Sequence, residues 1–231
     1  MSIGYDKLSL NHQLLLGLTF EEMTGVITHD RAKPVHLCTL TGVPTWNSLG
    51  NGLPYLDYNR GTPDYLDCPA ADTGDLDFTT EDFSGVIWVS PDDVGNTKYL
   101  MCRGVQGTGG WSFLLFFDGI WLLTHQVAAT QDSNSLLIIT ATEWSLCGFT
   151  RIGGSVRIFW NGQDRTTTVG AHVEPDAVNL DLNVGINNDK ASDAFDGRMA
   201  GGPCGPRIWG RALAAWEHLE IFNMERHWLG V

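Results

Sequence analysis

The chain has 231 residues, of which 43% are hydrophobic and 18% charged, a balance that excludes a disordered or collagen-like chain and can bury a large core. Acids outnumber bases 27 to 14, giving a formal net charge of −13. A field of that sign repels phosphate backbones and anionic bilayers, so no nucleic acid and no membrane is expected as partner.

No apolar stretch reaches the ~18 residues of a spanning helix. Residues 1–6 lack the basic-then-apolar pattern of a signal peptide, and no Asn-x-Ser/Thr sequon occurs. Five cysteines, Cys38, Cys68, Cys102, Cys147 and Cys204, are odd in number and widely spaced. Neither a disulfide framework nor a zinc site is expected from that pattern, and all five are expected to be reduced thiols of a protein made in a cytosol.

In chain order, residues 1–13 read as an N-terminal arm and 14–20 as the first strand. Strand-like runs follow at 53–58 and 64–68, separated by Asn59-Arg60-Gly61-Thr62-Pro63, and at 83–89, ended by Pro91. Residues 98–103, 111–117 and 120–125 come next. Asp118-Gly119 between the last two reads as a hairpin turn with both central residues at positive φ. Runs at 136–142, 145–151 and 155–160 precede a second tight turn at Asn161-Gly162, and strands at 178–185 and 207–209 close the set. Residues 212–228 contain no Gly or Pro. Leu213, Trp216, Leu219 and Phe222 recur there near helical spacing, so a short amphipathic helix is expected to pack that row inward and stop at Gly230. Many short strands without alternating helices predict one all-β antiparallel sandwich over 1–231 with a short C-terminal helix.

Catalytic patterns are sparse. Sandwich glycanases need alternating acids on one strand face. The one Glu-x-Asp here is Glu174-Pro175-Asp176, where proline implies a turn and the third acid is missing. Asp75-Leu76-Asp77-Phe78-Thr79 has the spacing of aspartate-based phosphatases but follows a turn, and it reads as an acidic loop. The seven histidines, His12, His29, His36, His125, His172, His218 and His227, form no His-Glu-x-x-His pair. Glu217, His218, Glu225 and His227 read as solvated or capping residues of the helix. There is no Gly-x-Ser-x-Gly elbow, and the glycine-rich 104–110 stretch lacks Lys-Ser/Thr and reads as a hairpin loop. Asp72, Asp75 and Asp77, or Asp92, Asp93 and Asn96, could supply calcium oxygens, but solvated acidic turns are the preferred reading and no cofactor is expected. Nine tryptophans are many for this length. Trp46, Trp111, Trp121 and Trp160 are the candidate ligand-binding residues, because an aromatic face can stack on a sugar, although most aromatics fill the core of a sandwich.

The order of landmarks resembles the laminin-G-like jelly rolls of the concanavalin A-like lectin/glucanase superfamily. The resemblance is carried by Leu16-Gly17-Leu18-Thr19-Phe20, Thr41-Gly42-Val43-Pro44-Thr45-Trp46, Leu76-Asp77-Phe78-Thr79, Phe83-Ser84-Gly85-Val86-Ile87-Trp88-Val89, Val156-Arg157-Ile158-Phe159-Trp160-Asn161-Gly162 and Arg207-Ile208-Trp209-Gly210-Arg211-Ala212-Leu213. It implies a concanavalin A-like jelly-roll β-sandwich that binds rather than catalyses. Some members hold calcium through an acid just before the final strand; Gly201-Gly202-Pro203-Cys204-Gly205-Pro206 offers none. A member without leader or sequon looks like the jelly rolls of tailed-phage virions. That implies a capsid decoration or tail-associated protein made in the host cytoplasm, with a capsid or tail protein as partner, glycan contacts and self-association into a homo-oligomer. A stand-alone carbohydrate-binding module is the alternative, and a glycoside hydrolase with an unrecognised acid pair is the second alternative.

Overall fold

A computed structural model describes residues 9–33, 35–136, 139–172 and 174–231. In chain order the strands are β1 (Leu14–Gly17), β2 (Ile27–His29), β3 (Leu37–Thr41), β4 (Thr45–Ser48), β5 (Pro54–Tyr58), β6 (Tyr65–Cys68), β7 (Phe83–Pro91), β8 (Lys98–Val105) and β9 (Gly109–Phe116). They continue with β10 (Gly119–His125), β11 (Thr130–Asn134), β12 (Ser145–Ile152), β13 (Ser155–Trp160), β14 (Gln163–Asp164), β15 (Leu182–Val184), β16 (Gly197–Ala200) and β17 (Arg207–Trp209), and one helix, α1 (Ala215–Leu229), ends the chain.

The strands form two antiparallel sheets among the described residues. One runs β14-β13-β12-β7-β16-β5-β4, with β17 bridging β7 and β1; the other runs β11-β10-β9-β8-β15-β6-β3-β2. The main core lies between them and includes Phe83, Ile87, Trp111, Phe113, Phe149 and Leu182. A second core, with Val86, Trp88, Leu146, Trp209 and Ile221, fills the space under α1. These two cores explain why β7 reads as an unbroken apolar run rather than an alternating one: odd positions face the sheet interface and even positions face the helix, so all nine residues are buried. Gly85 is required within that strand, because a Cβ there would sit 2.6 Å from the Phe149 ring.

Asn161 and Gly162 both take positive φ (49° and 75°), as expected for the tight turn joining β13 and β14. A Cβ at Gly162 would also come within 2.8 Å of the Leu219 Cα, so this glycine admits α1. Several expectations are corrected. The Asp118-Gly119 turn is displaced by one residue: Gly119 already pairs with Phe116, and the loop is Phe117-Asp118, with positive φ at Phe117 alone. No strand covers 136–142, of which 137 and 138 lie outside the described residues; the polar segment Thr130–Asn134 pairs with β10 instead. Of 178–185 only Leu182–Val184 is strand. The short strands β2, β3, β4, β14 and β16 carry too few residues to show a period of their own. Of the expected arm, residues 1–8 lie outside the described residues.

The helix starts and stops near its expected bounds, with Gly230 in the left-handed conformation. Its inward face is different. Glu217, His218, Ile221, Glu225 and Leu229 are buried, whereas Trp216 is 61% and Leu219 43% exposed. Polar side chains hold the inner face because each finds a partner. Glu217 pairs with Arg211 at 2.6 Å and accepts the Ala214 N–H at 2.8 Å. Glu225 pairs with Arg207 at 2.6 Å and accepts the Trp88 indole N–H at 2.8 Å. His218 stacks on Phe159 and bonds the Thr150 hydroxyl at 2.9 Å.

The cysteine reading is also corrected. Cys38 and Cys68 form a disulfide, while Cys102, Cys147 and Cys204 are free and buried. The register sets this: Thr39 faces Asp67 across β3 and β6, so the next pair is Cys38 and Cys68, with Cα atoms 4.3 Å apart. Thirty residues of sequence separation conceal a nearest-neighbour contact.

The acidic turns expected to be solvated are tied into ion pairs. Asp77 meets Arg103 at 2.7 Å, and Asp93 meets Lys98 at 2.5 Å and Arg60 at 3.0 Å. His36, fully buried, bonds Asp30 at 2.6 Å and Asp75 at 2.9 Å. Burial alone would push its pKa down, but hydrogen bonds and charge from the two carboxylates outweigh it and hold it at about 9. A raised histidine pKa stabilises fully below the unfolded value of ~6.5 and loses that stabilisation as pH climbs through the folded value. His125, His172 and His218 are pushed by burial down to about 4, 4 and 3, so they contribute the opposite slope, below pH ~6.5. Stability is therefore expected to peak near neutrality and to fall by on the order of 2 kcal/mol between pH 6.5 and 9. Urea unfolding across that range checks it; a His36→Asn variant that keeps the wild-type decline would remove His36 as the cause.

Candidate functional site

The four tryptophans separate on folding. Trp111 has no exposed surface and donates its indole N–H to the Leu76 carbonyl at 3.0 Å, so it is a core residue. Trp46 and Trp160 are half-buried against the core, with N–H groups given to the Gly25 carbonyl (2.9 Å) and the Ser145 hydroxyl (3.2 Å). Trp121 differs. Ile120 and Leu122, its neighbours in β10, point into the main core, so period two turns Trp121 outward. On that outer face its ring meets Phe116 in an edge-to-face contact with centroids 5.1 Å apart, and Phe116 meets Phe117 at 4.8 Å.

Phe116 is 41% and Phe117 51% exposed. Three aromatic rings thus sit together at the tip of the β9–β10 hairpin, with Leu136, also exposed, nearby in sequence after β11. Phe117 holds φ of 55°, a left-handed value that a bulky side chain adopts at a cost of about 1–3 kcal/mol and that surrounding structure must impose. Polar groups border the cluster. Asn134 lies directly across from Trp121, and its amide donates to Asp132 two residues before it on the same face. The Asn134 side-chain oxygen has no hydrogen-bond partner among the described residues. Aromatic faces with the Asp132 carboxylate beside them are suited to a ligand that combines C–H faces with hydroxyl groups. The sequence pattern sets the turn one residue too late and so leaves Phe117 inside the strand rather than in the loop.

Two sets of groups that could support catalysis are already committed. Ser112 bonds His125 at 2.9 Å and His125 bonds Thr130 at 3.0 Å. Ser112 is fully buried, however, and the third member is a neutral hydroxyl that cannot stabilise an imidazolium. Asp75, Asp77 and Glu81 line one cavity. The first two are bound to His36 and Arg103, and hydrogen bonds from Thr79 and the backbone lower the Glu81 pKa, opposite to what a general acid needs. Among the described residues no group of three His, Cys, Asp or Glu side chains converges as metal ligands.

Two stacked antiparallel sheets define a jelly-roll β-sandwich. A laminin-G-type profile of the concanavalin A-like lectin/glucanases superfamily matches residues 61–217, and the chain belongs to that superfamily. Comparison with curated protein sequences found no match. Among solved structures, the binding domain of Paraclostridial Mosquitocidal Protein 1 superposes with a TM-score of 0.72 at 14% identity, covering 94% of this chain and 53% of that one. Botulinum neurotoxin type C, in a structure concerned with cell entry through two ganglioside molecules, gives 0.68 at 13% identity over 93% of this chain and 52% of that one. The binding domain of botulinum neurotoxin DC with rat synaptotagmin II gives 0.68 at 14% identity over 94% and 52%. The chain therefore spans about half the length of the solved chains it matches, and at these identities the likeness is one of fold.

Proposed function

We propose that the chain is a non-catalytic binding module that recognises a glycan through the aromatic tip of the β9–β10 hairpin. The observation that carries this reading is the Phe116, Phe117 and Trp121 cluster, exposed on the outer face beside Asn134 and Asp132. Two proteins of similar fold lend support: the mosquitocidal one is described as a binding domain, and cell entry of botulinum neurotoxin type C as dependent upon interaction with two ganglioside molecules. The committed state of the Ser112–His125 pair and of the acids near Asp75 supports the non-catalytic part.

On a glycan array the wild-type protein is expected to retain at least one sugar. Trp121→Ala is expected to weaken that binding at least tenfold, in line with ~1–3 kcal/mol for one stacked ring face, while thermal stability changes little. An empty array, or a variant that binds as the parent does, would remove the hairpin tip as the site.

The finer part of the proposal is attachment to a larger particle: a virion component whose partner is a capsid or tail protein, with self-association on the particle's lattice. What supports it is the apolar row of α1 in which Trp216 and Leu219 face outward.

A further inference from the structure

A cavity of about 490 Å³ opens at the far end of β10 from the aromatic tip, ~20 Å away at strand rise. It lies between Gln126 after β10, the Gly153-Gly154 turn of the β12–β13 hairpin, and His172 and Glu174. Arg151, the next-to-last residue of β12, lines it and is 1% exposed.

The other fully buried arginine, Arg103, meets Asp77 at 2.7 Å, and the half-buried Arg207 and Arg211 meet Glu225 and Glu217, each at 2.6 Å. Arg151 forms no ion pair among the described residues. Its Nη1 donates to the Glu81 carbonyl at 2.7 Å. Its Nε is buried without any hydrogen-bond partner among the described residues. A buried cationic donor left in that state is costly, and the cost is removed by an acceptor.

His172 is not that acceptor. Its two ring nitrogens bond Thr124 and Ser133, at 2.9 and 2.7 Å. The carboxylates of Asp82, Glu174 and Glu81 act on Arg151 from a distance, but burial is the larger influence and leaves its pKa lowered, so the guanidinium is under-compensated. With Nη1 fixed on a carbonyl, the Nε edge is the side left to recognise a ligand, and that edge of a guanidinium matches the two oxygens of a carboxylate.

We propose that this cavity is a carboxylate site, in which Arg151 receives the acid group of a small ligand side-on while Gln126 and the Gly153-Gly154 backbone border the rest of it. The volume falls within the roughly 300–1,000 Å³ of small-molecule sites and suits an acid of one sugar ring. The site is independent of the hairpin tip.

The test is a titration of the full chain followed by the Arg151 Nε–H resonance in ¹⁵N NMR, with glucuronate, glucose and succinate as probes. Glucuronate is expected to move the resonance, and glucose is not. Movement by succinate as well identifies any small carboxylate as sufficient, whereas movement by glucuronate alone identifies an acidic sugar; both outcomes support the site. Arg151→Lys keeps the charge but loses the side-on edge, and it is expected to weaken glucuronate at least tenfold. A resonance unmoved by either acid, movement by glucose as strong as by glucuronate, or a folded Arg151→Lys variant with undiminished affinity would overturn the proposal. If that variant does not fold, the wild-type titration alone decides.

Discussion

Trp111→Ala is expected to cost about 3–5 kcal/mol, the range for truncating a buried tryptophan, and to lower the Tm by roughly 10 °C in a chain of this size. The indole is surrounded by Phe78, Phe83 and Phe149, with ring centroids at 6.3, 5.5 and 6.2 Å. It ties β9 to the 3₁₀ turn at Gly74–Leu76 through its bond to the Leu76 carbonyl. Alanine would leave a cavity in the centre of the sheet interface and a buried carbonyl without its donor, and these two losses add. Trp111→Phe keeps most of the ring volume and is expected to cost less, about 1–2 kcal/mol, chiefly for the orphaned carbonyl. Urea and thermal unfolding of both variants provide the measurement. The contrast with Trp121 is the informative part: two tryptophans ten residues apart on neighbouring strands are expected to separate into one that governs stability and one that governs binding. If Trp111→Ala unfolded like the parent while glycan binding disappeared, the inward assignment of β9 would be wrong.

Loss of the Cys38–Cys68 bridge is the second large effect. The disulfide closes a segment of 30 residues, for which loop entropy in the unfolded chain gives about 3–4 kcal/mol. That segment carries β4 and β5, which belong to the other sheet, so the bridge restrains the edges of both layers at once. A Cys38→Ala/Cys68→Ala double variant is expected to unfold at a lower urea midpoint by that amount, and reductant is expected to shift the parent to nearly the same place. Counting thiols by alkylation in denaturant gives a direct check: three should react before reduction and five after it. Five reactive thiols in a sample never exposed to reductant would show the bridge unformed.

Much of the fold was legible because its signals are local. The runs at 83–89, 145–151 and 155–160 are long, apolar and bounded by turn residues, and each became a strand within two residues of its expected limits. Asn161-Gly162 took the expected turn because two adjacent residues that tolerate positive φ decide that geometry themselves. Short strands such as β2 and β16 were not legible. Three or four residues establish no period, and it is the strand alongside that makes them strand.

The candidate site was legible only in part. Trp121 was among the residues singled out, but nothing in a single chain of letters separates it from Trp111, since both lie in apolar runs of similar composition. Phe117 reads as the last residue of a strand, because Asp118-Gly119 is the stronger turn signal, whereas the loop is Phe117-Asp118. The α1 face was inverted for a related reason. Apolar spacing favours burying Trp216 and Leu219, yet Arg211, Arg207, Trp88 and Thr150 supply partners that draw Glu217, Glu225 and His218 inside. Arg151 gave no signal at all.

By itself, then, the sequence determined the antiparallel sandwich, most of its strands and the closing helix, because alternation, turn chemistry and helix stop signals act between residues a few positions apart. Only the tertiary structure decided which tryptophan reaches the surface, which cysteines join, which helix face turns inward and which arginine lacks a carboxylate. Those depend on register and on partners that lie far away along the chain, and packing alone brings them within bonding distance.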